Sequence, residues 1–67
     1  MDLARIQEDN ARAEQQAIDA LAVARAQVLA SPTSQKAKAA YRASRERLAD
    51  VRQFNQAREE YAARHAA

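Results

Sequence analysis

Val28-Leu29-Ala30-Ser31-Pro32-Thr33-Ser34-Gln35, at the middle of a 67-residue chain, contains its only proline, and no glycine occurs anywhere. On both sides of this stretch, apolar residues recur at steps of three and four, the period of a helix face. Proline excludes the helical region for the residue before it, so a helix reaching Ser31 ends at about Ala30. Ser31 followed by Pro32 fits an N-cap and a first-turn proline, and Thr33 or Ser34 can cap instead. A second helix therefore starts almost at once. The pattern predicts an all-α fold, a two-helix antiparallel hairpin in one domain over residues 1–67. Helix one should run over about 2–30, the turn over about 31–34 and helix two over about 34–65.

Composition limits what such a hairpin can bury. Nineteen of the 32 hydrophobic residues are alanine; the 13 larger ones include two tyrosines and Met1. A fully buried Leu, Ile or Val contributes roughly 1.5–3 kcal/mol, while ordering each residue's backbone costs about 1–2 kcal/mol. Domains this small usually add a disulfide, a metal or a partner. Cysteine is absent, which excludes a disulfide framework, and the single histidine, His65, cannot form a metal site alone. No metal and no cofactor are expected. A partner remains, and the hairpin is expected to pack in an oligomer or against another helical protein.

Met1-Asp2-Leu3-Ala4-Arg5 lacks the apolar core of a signal peptide. No apolar run approaches the roughly 20 residues that span a bilayer. The expectation is a protein without a membrane span, cytoplasmic as made, with export by a route that cleaves no signal left open. Nine arginines against two lysines, with abundant alanine, fit a GC-rich bacterial or phage genome.

In helix one, Asp2 can cap, and Glu8, Asp9 and Glu14 lie in the half where the macrodipole favours acids. The stripe runs Leu3, Ile6, Ala13, Ala17, Leu21, Ala24 and Val28, interrupted at Asn10 and widened near the turn by Ile18, Val23 and Leu29. Helix two shows Ala37, Tyr41, Ser44, Leu48, Val51, Asn55, Arg58 and Ala62, with Phe54 and Tyr61 one step over. A turn at 32–33 pairs residues whose numbers sum to about 65, which sets Asn10 opposite Asn55. Two asparagines in an apolar seam can bond and fix register at a cost in stability. The sequence reading prefers the plainer arrangement, both at a frayed, wet end. Leu3, Ile6, Ile18, Leu21, Val28, Leu48 and Val51 should close the hairpin. Val23, Leu29, Tyr41, Phe54 and Tyr61 are the candidate protein-interface residues, because aromatic anchors concentrate binding energy.

Charge divides unevenly, −2 on helix one and +4 on helix two. Lys38, Arg42, Arg45 and Arg52 share one helical face, a stripe able to follow a phosphate backbone. No aromatic interleaves it, and Glu46 and Asp50 supply opposite charge nearby. A solvated face, or one meeting the acidic helix of a neighbour, is the preferred reading. His65 reads as a frayed terminal cation. Ser31, Thr33, Ser34 and Ser44 lack a histidine and orienting acid at useful spacing, so nucleophilic catalysis lacks its parts. Carboxylates such as Asp9, with Arg5 and Arg12 nearby, read as helix-surface pairs. Without glycine there is no phosphate-cradling loop. The sequence points to no catalytic residues, no enzyme and no small-molecule substrate.

From Leu29-Ala30-Ser31-Pro32-Thr33-Ser34-Gln35 through Tyr41 and Arg52, about residues 29–55, the chain resembles the needle subunits of bacterial type III secretion systems. Those are small helical hairpins with a proline-bounded turn that polymerise into a hollow filament, so the resemblance implies a filament subunit. Gln35 stands where the family has its second proline, and Ala62-Ala63-Arg64-His65-Ala66-Ala67 lacks the family's apolar end. The length is closer to the small hairpin chaperones that hold needle subunits soluble. Taken together, the sequence predicts a non-enzymatic assembly or interaction protein acting by helix packing. The alternatives are a dimeric four-helix bundle binding nucleic acid through the basic stripe, and a small phage or secretion-system accessory ordered only when bound.

Overall fold

The computed structural model describes residues 2–65. Two helices, α1 (Leu3–Ala30) and α2 (Gln35–Arg64), pack antiparallel in a rod of 53 × 15 × 10 Å. The Asp2 carboxylate accepts from the Arg5 amide and caps α1. None of the expected acidic residues falls in the first turn of α1, where the dipole acts most strongly.

The turn is settled by its serines. Ser31 ends α1, its amide donating to the Gln27 carbonyl, and the Ser34 amide donates back to the Ser31 carbonyl at 3.0 Å. Ser34, not Ser31, caps α2, its hydroxyl accepting from the Ala37 amide at 3.1 Å. Pro32 and Thr33 thus belong to the turn and not to a first helical turn.

The seam follows a seven-residue spacing on both sides. Asn10, Ala17 and Ala24 are buried on α1, and Leu48, Asn55 and Ala62 on α2, with Ile6 joining at the open end. Such spacing keeps one line of side chains against a partner helix. Alanine lets the backbones approach, and the register sets Ala17 at the level of Leu48, small against large. Leu3, Ile18, Leu21, Val28 and Val51 are half-buried along the seam's edges.

The structure corrects three details of this pattern. The asparagines are not at a wet end: Asn10 is 4% exposed and Asn55 7%. The Asn10 side-chain amide donates to the Asn55 backbone carbonyl at 3.3 Å, and the Asn55 amide returns to the Asn10 carbonyl at 2.9 Å. Ile6 and Ala62, further from the turn, are buried too, so the seam continues past the pair. Arg58 is exposed; Glu59 takes the half-buried place between Asn55 and Ala62. On the surface of α1, Arg12 pairs with Glu8 at 3.4 Å and not with Asp9.

Candidate interaction surface

A hairpin rod has two flanks, one on each side of the plane holding its axes. The Arg52 Nε donates to Glu14 Oε1 at 2.9 Å across the hairpin and marks one of them. Side chains follow one another by about 100° round a helix, so each residue's flank follows from its phase.

On the Glu14–Arg52 flank, near the turn, α1 and α2 form an open apolar groove lined by Ile18, Leu21, Ala22, Ala26, Leu29 and Tyr41, with Arg25 at its edge. Leu29 is 72% exposed. Tyr41 is half-buried, and the Arg45 guanidinium lies over its ring, 5.8 Å from the centroid. A cation on an aromatic face is attracted by the ring quadrupole.

Phe54 and Tyr61 lie elsewhere. Both stand about 100–120° round α2 from its buried line, on the side away from Arg45 and Arg52. They therefore form a patch on the opposite flank, towards the open end of the hairpin. Phe54 is 66% exposed and Tyr61 is exposed as well. His65 closes α2 instead of fraying: its amide donates to the Tyr61 carbonyl, and its ring lies 4.1 Å from the Tyr61 ring, centroid to centroid. Val23, also exposed, sits on this second flank but near the turn. Read in sequence, Ile18, Val23 and Leu29 look like one widened stripe. Ile18 and Val23 lie about 100–120° from the buried line of α1, on opposite sides of it, so the seam runs between them.

The five candidate interface residues thus divide into three places. Leu29 and Tyr41 share the groove, Phe54 and Tyr61 share the patch, and Val23 belongs to neither. The basic stripe Lys38, Arg42, Arg45 and Arg52 is exposed throughout. Two of its members are engaged within the hairpin, Arg45 on Tyr41 and Arg52 with Glu14. Sequence reasoning missed Glu14 and Glu59 as the acids that face this side of the seam.

Among the described residues, no group of three or more His, Cys, Asp and Glu side chains is placed to hold a metal ion. None of the helices there is long and apolar enough to cross a membrane. Compared with known proteins, the chain matches no protein family, no curated protein and no solved structure.

Proposed function

We propose that this chain is a non-enzymatic interaction protein that works by helix packing, joining copies of itself or another helical protein. The observation that carries the reading is its surface. The hairpin presents 5219 Å² of accessible surface, whereas a folded monomer of its 7.4 kDa mass presents about 4200 Å². The excess, about 1000 Å², exceeds the roughly 800 Å² that each partner contributes to a stable interface. Val23, Leu29, Phe54 and Tyr61 make part of that excess strongly apolar.

A secretion-needle-like subunit, its hairpin chaperone and a phage or secretion-system accessory are narrower forms of the same function. They rest on the turn sequence, Tyr41 and Arg52. The nucleic-acid reading draws less support, since Arg45 and Arg52 already have partners in the hairpin.

Light scattering after size exclusion, over a range of concentrations and with circular dichroism alongside, tests the proposal. Association of a helical chain that survives high salt is the expected result, because apolar contacts are not screened. Phe54→Ala should weaken that association while leaving helicity unchanged. Nucleic-acid binding that falls steeply with salt and disappears on charge reversal at Arg42 and Arg45 would replace this reading. A helical monomer at every concentration would confine the proposal to a foreign partner.

A further inference from the structure

We infer that two copies of the hairpin pair face to face and antiparallel through the Glu14–Arg52 flank, the one that carries the turn-end groove, and close a two-fold dimer of four helices. The inference rests on the helix-packing reading and names its surface, its partner and its symmetry.

Charge selects this flank. By helical phase its turn half carries Arg25, Lys38, Arg42 and Arg45, a net of +4, while Glu46 points outward from α2 between the flanks. Its open half sets Glu14, Glu59 and Glu60 against Arg52, a net of −2. The opposite flank has no such division. Its turn half carries Lys36 and Arg47, and its open half balances Arg5, Arg12 and Arg58 against Asp2, Asp9 and Asp50. A face that is basic at one end and acidic at the other attracts its own copy when that copy is reversed end to end.

Spacing sets the register. Tyr41 and Arg42 stand 18 residues before Glu59 and Glu60, five full turns, so the two pairs share their phases about 27 Å apart. A two-fold axis crossing the rod at residues 50–51 of α2 brings Arg42 of each copy within about one residue of the level of Glu60 of the other. The same register sets Arg45 level with Gln56 and, on α1, Ile18 level with Ala11, large against small. Arg52 and Glu14, already paired within each hairpin, flank the axis, so neutral pairs meet there. Each helix lies over its own copy, and every neighbour in the bundle is antiparallel, with dipoles opposed. The broad face of the rod, 53 × 15 Å, matches the roughly 800 Å² that each partner of a stable interface contributes. Ile18, Leu21 and Tyr41 supply its apolar part. The contact is isologous and closes at two copies, leaving Phe54 and Tyr61 on the outer flanks.

A charge swap tests this directly. Arg42→Glu and Glu60→Arg each oppose like charges at both ends of the dimer; both positions are exposed, so helicity by circular dichroism should match the parent. In low salt, light scattering should show each variant alone dimerising about tenfold more weakly than wild type. An equimolar mixture should dimerise as wild type does, because unlike charges then meet at both ends. Phe54→Ala should leave the dimer intact and weaken only species larger than it. A mixture no tighter than its components overturns the inference while the helix-packing reading stands, as does loss of the dimer in Phe54→Ala. A wild-type chain that never associates overturns the inference and confines the helix-packing reading to a foreign partner.

Discussion

The Asn10–Asn55 pair yields the sharpest test of the fold. Each side-chain amide donates to the other residue's backbone carbonyl, not to its side chain. That detail makes the two bonds separable. Asn10→Ala deletes the 3.3 Å bond and leaves Asn55 donating to the Asn10 carbonyl, which the substitution keeps. Asn55→Ala deletes the shorter, 2.9 Å bond. Neither orphans a buried acceptor, because each carbonyl sits inside a helix and retains its helical partner. Each loss should therefore approach the ordinary net worth of a hydrogen bond, about 0.5–1.5 kcal/mol, with Asn55→Ala the costlier. Coupling between them should stay below about 0.5 kcal/mol, apart from any shared cavity. Urea unfolding followed by circular dichroism, at one low protein concentration, measures all four corners of the cycle. A coupling above about 1 kcal/mol would mean a direct amide–amide bond. Two losses near zero would return the pair to a solvated end.

Other consequences follow from single contacts. Leu48→Ala empties the largest fully core-facing position of α2, and should cost about 2–5 kcal/mol, seen as loss of the cooperative urea transition. Ser34→Ala removes the α2 cap and should lower stability by about 1 kcal/mol, while Ser31→Ala, which removes no cap donor or acceptor of α2, should change little. Arg52→Gln breaks a bridge whose side chains are 56% and 37% exposed; the cost should stay within about 1 kcal/mol and shrink in high salt. If burial of the outward residues requires a second chain, the melting temperature should depend on concentration. Well above the dissociation constant, a tenfold rise adds up to about 1.4 kcal/mol, or several degrees for a domain of this size.

The turn and register were legible because one proline in a glycine-free chain leaves a single place to reverse, and its position fixes the pairing sum near 65. The asparagines were placed correctly opposite one another but assigned to the wrong environment. Hairpin ends fray, and the pair lies near the open end; what the stripe did not weigh is that Ile6 and Ala62 continue the seam beyond it. Arg58 was misread for a reason of phase. Asn55 to Ala62 can be stepped as three and four or as four and three, and both middle positions lie about 40–60° from the buried line. Only the assembled hairpin distinguishes them. The flanks were illegible for a similar reason: residues beside a stripe read as one widened face until the seam's centre is known to a few tens of degrees.

The composition of the seam explains why the apolar weight ends up outside. An interface built on Asn10, Ala17, Ala24, Asn55 and Ala62 holds two helices close and in one register, but it buries little side-chain volume. Leucine at those positions would bury more and would also pack equally well one heptad out of step, as apolar seams without a polar pair tend to do. The chain instead places its aromatics at Tyr41, Phe54 and Tyr61 and its most exposed leucine at Leu29, all off the central line. A narrow, register-locked seam makes the hairpin a defined rod; the side chains that could have stabilised it further are left exposed on its flanks. On the proposed reading, register within the chain and affinity between chains are carried by different residues. That separation is what allows Leu29 or Phe54 to be changed without dismantling the hairpin that presents them.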